Sequence, residues 1–223
     1  MIKECEEHGY YRAECCPICG EEGKFLMSDF EVEKMGRLMA GILRHGKYEL
    51  DMDNQGFVDI RDIIAVAKDK NPRMKWLKIH HIESLVETDP KGRYQISGSD
   101  VRATYGHTIE LDLRLPTDDI PELLYYPTTE EELDQIQEGG IFPSDRAMVH
   151  LSRSYKDALR AGSVRVEDPI ILVVDTVGCI DAGIEIGKAA KTVYLCDQVP
   201  SEFIKVAGPD GEDGDGEYED QED

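Results

Sequence analysis

Apolar residues recur with two different periods along this chain, and the change of period separates its predicted elements. From Ser28, apolar side chains fall at Val32, Met35, Leu38, Met39, Ile42 and Leu43, the three-and-four spacing of one helix face. Ser28 with Glu31 matches a capping box at the start, and Gly46 suits the position just past the end. A second helix is predicted from Asp59 through Ile60, Ile63, Ile64 and Ala67 to about Lys70, ahead of Pro72. A third runs from Met74 to Val86 through Leu77, Ile82 and Leu85. DPKGR, residues 89–93, reads as a turn into YQIS, and SGSD joins that strand to VRATY as a hairpin. Three helices and a hairpin predict a winged-helix lobe, a fold that alone establishes no function.

After RLPTDDIPE the pattern changes. LLYY (123–126), MVHLS (148–152), IILVVD (170–175) and TVYLCD (192–197) read as strands and PSEFIKV as a last edge, with TTEEELDQIQEGG and SYKDALRAG as short helices. No glycine-rich phosphate loop and no G-x-G-x-x-G follows a strand, which disfavours P-loop and Rossmann enzymes. The expected class is α+β, with a metal knuckle over 1–27, the winged-helix lobe over 28–114, a strand-rich lobe over 115–207 and a disordered tail over 208–223.

Charge narrows the partners. The 223 residues include 47 acidic and 25 basic ones, for a formal net charge of −22. The last sixteen residues hold nine Asp or Glu and no Lys or Arg, so the remainder still carries −22 + 9 = −13. Such a body repels polyanions over most of its surface, and nucleic acid would need a local basic pocket. No run approaches the roughly 18 apolar residues of a membrane span, and the start lacks a signal-peptide core. The expectation is a soluble cytoplasmic protein without a membrane partner.

Four of the six cysteines crowd into positions 5–19. Cys5-x2-His8 and Cys16-x2-Cys19, followed by Gly20, have the spacing that lets paired ligands converge on one tetrahedral ion. A structural zinc site of Cys5, His8, Cys16 and Cys19 is expected, with Cys15 the alternative to Cys16.

Taken singly, the remaining polar candidates have plain explanations. Arg44 and His45, in the last turn of the first helix, would complement its dipole. Arg102 shares a strand face with Thr104 and reads as solvated. His107 suits a turn or hydrogen-bond role at least as well as a chemical one, and His150 suits a structural one.

Together, however, ILRHG, GFVDIRDII, VRATYGH, R-x-x-VHLS at 146–152, ILVVD and YLCDQVPSEFI occur in an order that resembles the NAD-dependent RNA 2′-phosphotransferase family, over roughly residues 30–206. The cysteine-rich segment resembles that of archaeal members. The resemblance implies a winged-helix lobe joined to an ADP-ribosyltransferase-like lobe, NAD as co-substrate, and removal of the internal 2′-phosphate left at a tRNA-like splice junction. It implies that the catalytic set is Arg44, His45, Arg102 and Arg146, a cationic pocket built from both lobes; a monomer is expected separately. Arginine forks fix a phosphate dianion without titrating, and an imidazole can also move a proton. For NAD it implies Tyr126, Thr128, His150 and Ser152; Tyr126 stands where the family usually has histidine, and Pro127 where it has glycine. Two other functions fit the same residues: ADP-ribosylation of terminal nucleic-acid phosphates, and RNA binding without catalysis.

Overall fold

A computed structural model of the chain describes residues 1–208, so the acidic tail lies, from residue 209, outside the described residues. The chain divides into two compact units, Met1–Arg114 and Leu115 onward. Both are mixed α and β with antiparallel sheets, and the described residues contain six α-helices. None of these helices is long and apolar enough to cross a membrane.

The first unit opens with three short strands, β1 (Ile2–Cys5), β2 (Gly9–Tyr11) and β3 (Lys24–Met27), in the order β2-β1-β3. Helix α1 (Asp29–His45) begins as its sequence requires: Ser28 Oγ accepts from the Glu31 amide, and Glu31 Oε2 accepts from the Ser28 amide. Met35, Met39, Ile42 and Leu43 form its buried stripe. Gly46 ends it with φ 61°, a left-handed conformation that favours glycine. A two-residue strand, β4 (Val58–Asp59), leads into α2 (Ile60–Lys70), whose first turn is capped by the Asp59 carboxylate.

The predicted third helix is corrected at its start. Pro72–Met74 forms a separate 3-10 turn, and α3 spans Ile79–Glu87. Asn71 Oδ1 accepts from the Arg73 amide and Pro72 takes the first position, so this turn is capped on its own account. Lys78 is then extended, and its amide donates to His81 Nδ1. Strands β5 (Tyr94–Ser97) and β6 (Asp100–Ala103) form the expected hairpin and complete a sheet ordered β4-β6-β5, with Gln95 opposite Arg102. Ile2 and Met27 are buried in the same apolar core as Met39, Ile63, Leu77 and Ile82, so the amino-terminal sheet packs onto the helices.

The second unit contains β7 (Leu123–Thr128), α4 (Glu130–Gly139), β8 (Val149–Ser152), α5 (Tyr155–Gly162), β9 (Ile170–Asp175), α6 (Thr176–Asp181), β10 (Gly187–Lys188), β11 (Val193–Cys196) and β12 (Ile204–Val206). They form one antiparallel sheet ordered β10-β11-β8-β7-β9-β12. One face packs Leu124, Val149, Leu151 and Leu172 together; the other packs Tyr125, Ile171 and Val173 with Ala158 of α5.

At the centre of this sheet the pairing is uneven. β7 matches β9 along its whole length, from Leu123↔Asp175 to Thr128↔Ile170, but matches β8 only at Tyr125↔Ser152. Continued register would set Tyr126, Pro127 and Thr128 against Leu151, His150 and Val149. The strands part there instead. Pro127, which has no N–H for a ladder, therefore interrupts no pairing with β8.

Candidate functional site

The end of α1 is closed without using its basic side chains. The amides of Gly46, Lys47 and Thr108 donate to the carbonyls of Ile42, Gly41 and Arg44 at 3.0, 3.1 and 3.0 Å. The Arg44 guanidinium lies over the Tyr105 ring, 4.9 Å from its centroid, and against Gly106. Gly106 has φ 85°, and a Cβ there would sit 3.1 Å from Arg44 Cζ, so only glycine satisfies both the turn and the close approach. Arg44 Nε and Nη2 are buried and have no hydrogen-bond partner among the described residues. Two orphaned cationic donors are costly, and complementing a helix dipole does not explain them. His45 is exposed beside them, with Nδ1 3.0 Å from Thr108 Oγ1.

Arg102 is not a solvated strand arginine. It is 6% exposed, because cover comes from residues that strand alternation cannot foresee. Nε donates to Gln95 Oε1 at 2.8 Å, and Nη1 to the carbonyls of Leu113 and Gln55 at 2.7 and 3.3 Å. The guanidinium lies over Phe57, 4.7 Å from the centroid. Nη2 makes no hydrogen bond within the described residues and remains a donor for a ligand.

His107 is a residue whose part sequence reasoning misses. It is buried, 4% exposed, and its ring donates to the Ala103 carbonyl while Nε2 has no partner among the described residues. A Cβ on Gly56 would lie 4.0 Å from His107 Nε2 and 3.9 Å from Arg102 Cβ, so both border one small space. Burial, then the cations Arg44, Arg102 and His45, push the His107 pKa down to about 4. The ring is therefore neutral at pH 7, with Nε2 as an acceptor. The signal is present in RATYGH, where a glycine and a histidine closely follow the strand arginine.

Arg44, His45, Arg102 and His107 thus gather in the first unit. Among the described residues no carboxylate lies within 4 Å of either arginine. Cations with unpaired donors and no resident counterion form a site for an incoming anion, and a phosphate dianion matches their forked geometry.

The other predicted residues lie in the second unit. Arg146 is exposed in the loop before β8 and near enough to Tyr126 to act on it electrostatically. Burial, reinforced by Glu132, raises the Tyr126 pKa above its ordinary value. Thr128 is buried and donates to Glu132 Oε2 at 3.1 Å, and Arg165 Nη2 donates to the other Glu132 oxygen at 2.8 Å. His150 Nδ1 lies 2.9 Å from the Met148 carbonyl. Because Tyr125 faces Ser152 across the ladder, His150 and Ser152 share the face of Tyr125, whereas Tyr126 and Thr128 point to the opposite face. The four do not converge on one side of the sheet. They flank the place where β7 and β8 part.

The amino-terminal ligands do converge. The donor atoms of Cys5, His8, Cys16 and Cys19 all lie within 4.8 Å of one another. Cys5 Sγ is 3.4 Å from His8 Nδ1 and 3.8 Å from Cys19 Sγ, and Cys16 Sγ is 3.7 Å from His8 Nδ1. A tetrahedron with metal bonds of about 2.0–2.3 Å has edges of roughly 3.3–3.8 Å, so the set fits zinc. Cys16 belongs to it and Cys15 does not. The amides of Cys19 and Ile18 hydrogen-bond Cys16 and lower its pKa to about 7, which favours the thiolate that a metal needs.

Comparison with known proteins places this geometry in a family. Residues 31–198 match the profile described as RNA 2′-phosphotransferase, Tpt1/KptA family. A protein of Thermoplasma acidophilum named "Probable RNA 2′-phosphotransferase" is 44% identical over 206 residues, 91% of this chain and 87% of that one. A protein of the same name from Methanosarcina barkeri is 38% identical over 208 residues, 92% of this chain and 99% of its own. "Probable RNA 2′-phosphotransferase 1" of Archaeoglobus fulgidus is 39% identical over 210 residues, covering 92% and 94%.

Proposed function

The chain belongs to the RNA 2′-phosphotransferase (Tpt1/KptA) family, and from that premise we propose that it removes the internal 2′-phosphate of a tRNA-like splice junction by transferring it to NAD. The observation that carries this reading is the cluster of unpaired cationic donors, Arg44 Nε and Nη2 with Arg102 Nη2, in a chain of charge −22.

In the first step a phosphate oxygen attacks the anomeric carbon of the nicotinamide ribose. The carbon–nitrogen bond breaks and nicotinamide leaves with the bonding pair. Arg44, Arg102 and His45 fix the phosphate for this attack, and their pre-set positions avoid reorganisation. In the second step the ribose 2″-hydroxyl attacks phosphorus and the RNA 2′-oxygen departs, taking up the proton that the hydroxyl loses. The products are RNA with a 2′-hydroxyl, nicotinamide and ADP-ribose 1″,2″-cyclic phosphate. Arg146 stabilises the charge redistributed around phosphorus in this step.

His107 Nε2, on a neutral ring, accepts a hydrogen bond from a hydroxyl of the bound ligand, which the surrounding guanidinium groups, donors only, cannot do. NAD is held where β7 and β8 part, by His150 and Ser152 on one strand and Tyr126 and Thr128 on the other. The departure at Pro127 supports this assignment, since a residue without an N–H suits an edge that the neighbouring strand leaves. The zinc ion of Cys5, His8, Cys16 and Cys19 is structural, all four positions being taken by protein. The winged-helix and ADP-ribosyltransferase-like descriptions of the two units, and a monomeric cytoplasmic enzyme, belong to the same proposal.

The test is a short RNA bearing one labelled internal 2′-phosphate, incubated with and without NAD. Label moving to ADP-ribose 1″,2″-cyclic phosphate only with NAD is the expected result. Label retained on RNA as an ADP-ribosyl adduct would replace the proposal by terminal-type ADP-ribosylation, and binding without chemistry would replace it by an RNA-binding role.

A further inference from the structure

The acidic chain has a segment of opposite sign in its first unit that the phosphate site does not use. Residues 61–80 hold six Lys or Arg against two Asp, a local charge of +4 in a protein of −22. α2 and the turn entering α3 border a shallow, open groove of about 540 Å³. Arg61, Lys68 and Lys78 stand along it, and Ala65 and Ile79 supply its exposed apolar surface over the buried Ile64 and Leu77. Among the described residues no acidic one lines it. Arg61, Lys68 and Lys78 have no carboxylate within 4 Å among the described residues, and Ile79 is 39% exposed.

We propose that this groove seats single-stranded RNA flanking the phosphate-bearing nucleotide, with the backbone on Arg61, Lys68 and Lys78 and an unstacked base on the apolar floor. The reading deepens the proposed function and rests on RNA being the substrate. Charge complementarity selects a polyanion, because three cations without a carboxylate partner among the described residues line one groove. The apolar floor selects a single strand over a duplex, since a duplex presents phosphates but keeps its base faces stacked. An acidic peptide would use the cations and leave the floor without an occupant.

The test uses the full chain and a fluorescein-labelled single-stranded RNA without any 2′-phosphate, so the phosphate pocket makes no specific contribution. Fluorescence anisotropy compares wild type with the double variant Arg61→Gln/Lys78→Gln, both positions being exposed, and with Ile79→Ser. Circular dichroism checks that each variant is folded. The double variant should bind about tenfold more weakly at low salt. Its log–log salt dependence should be shallower by about 1.4, from roughly 0.7 for each phosphate no longer neutralised. Ile79→Ser should weaken the single strand and leave a blunt duplex of the same sequence unaffected. For a long 2′-phosphorylated RNA the double variant should raise KM by a similar factor with kcat unchanged, and a trinucleotide substrate should be turned over as by wild type.

Equal RNA affinity for wild type and the double variant would overturn the proposal. So would an equal loss on duplex and single strand in Ile79→Ser, or displacement of the RNA by polyglutamate as effectively as by unlabelled RNA. If wild type turns over neither substrate while the binding differences persist, the catalytic proposal fails and the RNA surface stands.

Discussion

Replacing Arg102 by lysine keeps the charge and removes the fork, which makes it a sharp probe of the phosphate site. Arg102 does two jobs with different nitrogens. Nε and Nη1 anchor the side chain to Gln95, Leu113 and Gln55, while Nη2 is left for a ligand. A lysine has one nitrogen at the end of a flexible stem, and it cannot hold the buried Leu113 carbonyl and donate to a phosphate at once. Each charge-assisted hydrogen bond is worth about 1.5–3 kcal/mol. Because leaving the buried carbonyl unpaired is costly, Nζ should stay with Leu113 and give up the ligand. The expected result is a fall in kcat/KM of about 10- to 150-fold, the kinetic equivalent of that energy. Breaking the hydrogen bond to Gln95 should lower the melting temperature of the unit by about 5–15 °C at most. Steady-state turnover of a 2′-phosphorylated RNA and a thermal melt measure the two separately. Arg102→Ala is a poorer probe, since it also strips Phe57 and removes the donors of three acceptors. A lysine variant within twofold of wild-type kcat/KM would refute the division of labour between the nitrogens.

Stability should also respond to pH through His81 and His107, both lowered to about 4 mainly by burial. Their folded pKa values lie below the unfolded value, so the unfolded chain binds more protons between about pH 6.5 and 4. Their stabilising contribution is complete above about 6.5 and is lost as pH falls through 4, at up to roughly 1.4 kcal/mol per pH unit for each group. Urea unfolding of a His81→Gln/His107→Asn variant should show a flatter profile over that window, and an unchanged slope would contradict the assignment. Arg146→Ala should slow the second step more than the first and accumulate ADP-ribosylated RNA, visible as a slower-migrating species; equal slowing of both steps would remove its assigned role. Chelation, or Cys16→Ser, should release about one zinc per chain and loosen the β1–β3 sheet, read by metal analysis and proteolysis near residues 5–19. Freshly purified protein without zinc would reject that site.

Local rules carry the long elements and fail where tertiary cover decides. α1 is legible because its apolar period, capping box and left-handed glycine all agree, and consistency between levels is what specifies a structure. Periodicity starts α3 too early because Met74 and Leu77 are apolar, yet they serve a 3-10 turn and its exit. Strands β1, β2 and β3 are only three or four residues long in a cysteine-rich segment, too short for a period to show. The two-residue strands β4 and β10 are equally silent. Arg102 reads as solvated in the sequence because alternation gives a side chain its face but not its cover, which Phe57, Gln55 and Leu113 bring from other loops. The sequence leaves His107 open between a turn role and a chemical one, because only the structure shows a buried nitrogen without a partner among the described residues. Pro127 departs from the family pattern, and the parting of β7 from β8 explains how the sheet holds it.

The most direct test of the account is the stoichiometry of one reaction mixture: nicotinamide released and 2′-phosphate removed from RNA, counted together over time. The account predicts that the two rise one to one, that neither occurs without the other partner substrate, and that the phosphate is recovered as ADP-ribose 1″,2″-cyclic phosphate. Nicotinamide released while the phosphate stays on the RNA at completion, or phosphate removed without NAD, would contradict it.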